Sequence, residues 1–172
     1  MRRALALPLL LAISACGPTA PPSRAPADEV GDLPVLTGRV VDDAGLLSPA
    51  QEAILTDALA MTEGATRHQF VVVTVPSLRG RSIERFGVDL GRSWQIGRKG
   101  IDDGVLLIVA PSERKVRIEV GYGLEQILRD EEARAIIDTR ILPRFRAGNM
   151  AGGILAGSAA IIREINVPGA TP

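Results

Sequence analysis

The chain has 172 residues, enough for one domain with a substantial core, and 46% of them are apolar although only 3% are aromatic. The core must therefore be built from Ile, Val, Leu and Ala. Basic and acidic residues number 20 each, which excludes nucleic acid as a main partner, because phosphate binding needs a surplus of Lys and Arg on one face. A lone cysteine, Cys16, excludes an intramolecular disulfide, and a lone histidine, His68, excludes multi-histidine metal sites.

The first stretch, "MRRALALPLLLAISAC", places Arg2 and Arg3 before an apolar run from Ala4 to Ile13, with small residues ahead of Cys16. It reads as a secretory signal peptide over residues 1–15, too short to stay as a membrane span. "ISAC" resembles a bacterial lipobox, so Cys16 is the expected lipidation site and the membrane the expected partner through its acyl chains. Gly17, not aspartate, follows the cysteine. The expected location is the cell envelope, at the periplasmic face of the outer membrane. Loss of Arg2 and Arg3 with the leader leaves 18 basic against 20 acidic residues, a net charge of −2. Residues 16–35, rich in Pro, Ala and Ser, read as the lipidated cysteine and a flexible tether. Residues 167–172 form a short tail, and 36–166 form the domain.

Within the domain, "LLSPAQEAIL" is a helix start: Ser48 is the N-cap, Pro49 suits the first helical position and Gln51 closes a capping box. "QFVVVTVP" (69–76) is an apolar β-branched run and reads as a buried strand. Ser82 caps a second helix with a stripe of Ile83, Phe86, Leu90 and Trp94, and Gly87 and Gly91 beside it predict close packing. Val105 to Ala110 reads as a strand buried on both faces. After a short turn, Val116, Ile118 and Val120 alternate with Lys115, Arg117 and Glu119, the pattern of a half-exposed strand paired antiparallel with its predecessor. Asp130 is expected to cap a helix over "EEARAIIDTRIL". A last helix, "MAGGILAGSAAIIREI", is expected to pack and not to span a membrane, being short and ending in Arg163 and Glu164. The order of elements predicts an α/β fold, a three-layer αβα sandwich with a small mixed sheet.

No nucleophile–base pair stands out, so no catalytic residue is assigned. His68 is expected to be solvated or structural. "GYG" at 121–123 departs from the phosphate-loop pattern and is expected to be a turn with positive φ, with Tyr122 packing locally. Carboxylates remain, and they fall in loops: Asp42 and Asp43 in "VVDDAG", Asp102 and Asp103 in "GIDDG", Glu125 and Asp130 after "GYG". Asp and Gly there also serve as ordinary turn and capping residues. If the loops converge, clustered carboxylates call for a cation, and a hard, oxygen-preferring ion, Ca²⁺ or Mg²⁺, suits them.

Four segments occur in order: "VVDDAGLLSPAQ", "VVVTVPSL", "SIERFGVDLGRSWQIGRKGIDDGVLLIVAPSERKVRIEVGYGLEQILRD" and "ILPRFRAGNMAGGI". Together they resemble the TPM-domain family, over about Leu36 to Ile165. The family includes a thylakoid-lumen protein linked to photosystem II repair and described as an acid phosphatase, a cyanobacterial relative and a nematode modulator of acetylcholine receptors. The resemblance implies an αβα sandwich and a cation in the acidic loops, Ca²⁺ favoured. Carried over, it points to Asp42, Asp102, Asp103, Glu125 and Asp130 as metal ligands. The function it implies is a divalent-cation-binding accessory module for assembly, repair or quality control of envelope proteins, acting on an unidentified envelope partner. A weak metal-assisted acid phosphatase is the alternative. A purely structural lipoprotein whose acidic loops bind nothing is the third reading.

Overall fold

In the computed structural model the described residues are 33–166. The expected leader, Cys16, most of the tether and the tail lie outside them. Four strands form one open sheet in the order β1-β2-β3-β4. They are β1 (Val40–Asp42), β2 (Gln69–Thr74), β3 (Gly104–Ala110) and β4 (Lys115–Val120). The first three run parallel, with Val41 beside Val73 and Val72 beside Leu107, and β4 is antiparallel to β3, with Ile118 beside Leu107. Helices α1 (Pro49–Thr66) and α2 (Ile83–Trp94) make the two crossovers. After β4 come α3 (Asp130–Ile136), α4 (Leu142–Arg146) and α5 (Met150–Ile165).

The central strands β2 and β3 are apolar almost throughout because both of their faces are covered. Phe70, Val72, Val105, Leu107 and Val109 face one layer, holding Leu55 and Leu59 of α1 and Ile154 and Ile161 of α5. Val71, Val73, Leu106 and Ile108 face the other, holding Ile83, Phe86 and Leu90 of α2. This is the expected αβα sandwich with a mixed sheet. The expected close approach at α2 also holds: a Cβ added to Gly87 would meet Ile108 Cδ1 at 3.0 Å and Glu119 Oε2 at 2.9 Å.

Local signals held at both crossover helices. Ser48 Oγ accepts from Gln51 N while Gln51 Oε1 accepts from Ser48 N, and Ser82 Oγ accepts from Arg85 N. Three expectations need correction. β1 was not expected; three residues are too few to show a period, and only pairing with β2 defines them. Asp130 is the first residue of α3 and not its cap; Arg129 precedes the helix, and its N–H donates to Glu132. The helix expected over 131–142 is interrupted by a π turn, Ile137–Ile141, where the Leu142 N–H reaches back to the Ile137 carbonyl. Pro143 explains it: without an N–H, and with its ring crowding the carbonyl four residues back, it favours a wider turn. α5 packs as expected, with Gly153 against Phe145 and Gly157 against Ile141. No helix among the described residues is long and apolar enough to cross a membrane.

Candidate functional site

The N-terminal end of β3 is where the two adjacent aspartates of "GIDDG" part company. Asp103 points inward and is fully buried. Its carboxylate accepts from the Arg98 backbone N–H at 2.8 Å and from Arg98 Nε at 2.7 Å, with Nη2 at 2.6 Å. His68, also buried, places Nδ1 3.3 Å from Asp103 Oδ2. A carboxylate only accepts, so His68 carries its proton on Nδ1. Burial by itself would raise the pKa of Asp103. The hydrogen bonds from Arg98 side chain and backbone and from His68, with the Arg98 charge, more than offset it and hold the group below its ordinary value. Asp103 is thus an ionised anchor with its acceptor sites committed. His68 is structural, and its expected alternative, solvation, does not occur.

Asp102 turns the other way. It is exposed and holds a left-handed backbone, φ 56°. Its carbonyl accepts from Gly123 N–H at 3.1 Å, and Gly121 N–H donates to Gly104 O at 2.8 Å. The "GYG" segment therefore lies directly against "GIDDG". A Cβ on Gly121 would sit 2.0 Å from Asp102 O, and one on Gly123 2.1 Å from Ile101 O. The expected positive φ is corrected: φ at Gly121 is −73°, and glycine is required for close approach. Tyr122 does not pack locally as expected; it is 80% exposed.

Around this junction lies an open cleft of about 840 Å³ between α2 and the ends of β3 and β4. Gly87, Gly91 and Gly121 contribute backbone to it, and Arg92, Lys99, Asp102, Glu119, Tyr122 and Glu125 contribute to its walls. Glu119 is held by Arg117. Asp102 and Glu125 have no such partner among the described residues. Sequence reading missed Arg92 and Glu119, because nothing in their local pattern says that α2 and β4 end beside the same loops. The one available signal was Gly87 on α2, whose missing side chain admits Glu119.

The remaining expected ligands lie elsewhere. Asp42 ends β1, and parallel strands put that end at the opposite edge of the sheet from Asp102, on the order of 20 Å away. Its carboxylate accepts from Leu46 N at 3.1 Å, Leu47 N at 2.8 Å and Thr74 Oγ1, closing the turn into α1. Asp130 begins α3 and lies outside the cleft, where its charge suits the helix N-terminus. The expected convergence of Asp42, Asp102, Asp103, Glu125 and Asp130 on one ion is therefore corrected: only Asp102 and Glu125 share a cleft. Among the described residues, no three His, Cys, Asp or Glu side chains are grouped as a metal site would need.

These features define a class: a small αβα domain whose glycine-lined junction of two loops borders an open polar cleft. The chain belongs to the TPM domain family, which it matches over residues 40–164. It is similar to the solution structure of the N-terminal domain of a P. gingivalis protein, at 37% identity and a TM-score of 0.74, over 80% of this chain and 90% of that one. The N-terminal domain of a Corynebacterium glutamicum protein shares the fold at 19% identity and a TM-score of 0.59, covering 75% of this chain and 80% of that one. A protein of the psychrophilic bacterium Bizionia argentinensis shares it at 18% identity and a TM-score of 0.60, covering 69% and 81%. No curated protein matches the sequence.

Proposed function

We propose that this TPM domain is a membrane-tethered accessory module of the cell envelope, held by a lipid on Cys16, whose cleft binds a divalent cation, Ca²⁺ in preference to Mg²⁺. The observation that carries the cation reading is that Asp102 and Glu125 line one open cleft, with neither carboxylate paired to a basic side chain among the described residues. Two carboxylates with carbonyls and water suit a flexible, oxygen-rich coordination shell, which Ca²⁺ accepts more readily than Mg²⁺. So few charged ligands imply weak binding, a Kd of roughly 10⁻⁴–10⁻³ M, in the range of extracellular modules. Asp42, Asp103 and Asp130 have other work and take no part. A calcium titration of thermal stability against matched NaCl, repeated with Asp102→Asn and Glu125→Gln, tests this reading.

One observation favours a second reading, weak phosphomonoester hydrolysis. Arg92 and Lys99 border the same cleft as the two carboxylates, so a phosphoryl group would meet positive charge beside a cation. Phosphate release from a generic phosphomonoester by the purified protein, abolished by Asp102→Asn, tests it.

A further inference from the structure

The sheet has two open edges of unequal length. β1 is three residues long, whereas β4 offers six, Lys115–Val120. The hydrogen bonds from Gly121 N to Gly104 O and from Gly123 N to Asp102 O fix the alternation along β4. Lys115, Arg117 and Glu119 turn their backbone groups toward β3, and Val116, Ile118 and Val120 turn theirs outward. Among the described residues those outward groups make no backbone hydrogen bond outside the sheet, and no further strand lies beyond β4. A long edge without a bulge or proline is a template for pairing with another chain.

The residues of this edge read Val116-Arg117-Ile118-Glu119-Val120. The sequence is symmetric about Ile118 in its apolar positions and opposite in charge across it. We propose that β4 pairs antiparallel with β4 of a second copy, about a two-fold axis at Ile118, joining two sheets into one.

In that register Ile118 meets Ile118, Val116 meets Val120, and Arg117 stands opposite Glu119 on both sides of the axis. Among registers centred on Val116 to Val120, the other axes either oppose like charges or, at Val120, set Glu119 against Gly121 and gain no opposite pair within the strand. An axis at Arg117 sets Arg117 against itself, one at Glu119 sets Glu119 against itself, and one at Val116 sets Lys115 against Arg117. An axis at Arg117 also brings Lys115 opposite Glu119, but only the Ile118 axis forms opposite pairs with no like pair beside them. Since opposite charges directly across an antiparallel pair stabilise it and like charges destabilise it, charge favours the Ile118 axis. Within each chain Arg117 and Glu119 already bond to each other, so pairing exchanges two contacts within the chains for two across the axis, and charge sets the register without adding contacts. The partner is thus a second copy of this chain, bound isologously.

The test uses the full chain purified in detergent, with mass read by native mass spectrometry across a concentration series. Wild type should pass from monomer to dimer. Arg117→Glu alone opposes four acidic groups at the axis, and Glu119→Arg alone opposes four basic ones; each should weaken dimerisation roughly tenfold or more. An equimolar mixture of the two single variants restores opposite pairs and should form a heterodimer that neither forms with itself. The double variant R117E/E119R keeps the contact within the strand and should dimerise as wild type does. That pair of rescues distinguishes the interface from a folding defect, and circular dichroism of each variant monitors folding. A wild type that stays monomeric at all concentrations overturns the proposal. So do single variants that dimerise undiminished, or a mixture that gives no heterodimer.

Discussion

Arg98 Nη2 lies 2.6 Å from the buried Asp103 carboxylate, and the two residues close a loop that begins and ends within six positions of one another. The first prediction concerns this pair. A folded-state pKa below the ordinary carboxylate value means that Asp103 contributes stability in full above about pH 4, the unfolded range. That contribution is lost as pH falls through the lowered folded value. Asp103→Asn should cost about 3 kcal/mol at pH 7, the low end for breaking a buried pair, because Arg98 reaches solvent. Urea midpoints at pH 7 and pH 3 should show the gap between variant and wild type narrowing in acid. An equal gap at both values would place the role of Asp103 in shape and not charge.

The second prediction separates close approach from backbone freedom. Gly121→Ala and Gly123→Ala force a Cβ into the carbonyls of Asp102 and Ile101 and should each destabilise by about 1–3 kcal/mol or more. Gly64→Ala, on the exposed face of α1 with open space around it, should instead stabilise by about 0.5–1 kcal/mol. Chemical denaturation of the three variants checks the opposite signs.

Calcium provides the third. At ten to a hundred times Kd, a cation that binds only the folded form adds about 1.4–2.7 kcal/mol. Each kcal/mol raises the melting temperature by roughly 2–8 °C. Ca²⁺ at about 10 mM should therefore raise it by several degrees, whereas NaCl of equal ionic strength should not. Asp102→Asn with Glu125→Gln should abolish the response. Asp42→Asn should leave it intact while lowering stability overall, because Asp42 closes the turn before α1. A calcium response lost with Asp42→Asn and kept without Asp102 and Glu125 would move the site to the opposite edge of the sheet.

The fourth concerns the tether. Cys16→Ser should remove fatty-acid label from the protein in metabolically labelled cells and release it from the membrane fraction. Equal labelling of variant and wild type would remove the lipid from the account of its function.

Much of the fold was legible from local chemistry. Ser48-Pro49-Gln51 and Ser82 announced their helices because capping is satisfied within four residues. β2 and β3 announced themselves because burial on both faces leaves an unbroken β-branched run. The segments quoted for the TPM resemblance were likewise readable, and so was the sandwich they imply. The tertiary structure alone decided which carboxylates meet. Asp42 ends a strand and Asp102 precedes one, and in a parallel sheet those two positions fall at opposite edges, whatever their likeness as acidic loops. It also split Asp102 from Asp103. Left-handed backbone at Asp102 turns one carboxylate to the cleft, while the next residue points into the core, where Arg98 and His68 complete its hydrogen bonds. A sequence displays the charges of two neighbours alike. Which of them is solvated depends on partners that folding brings from elsewhere in the chain.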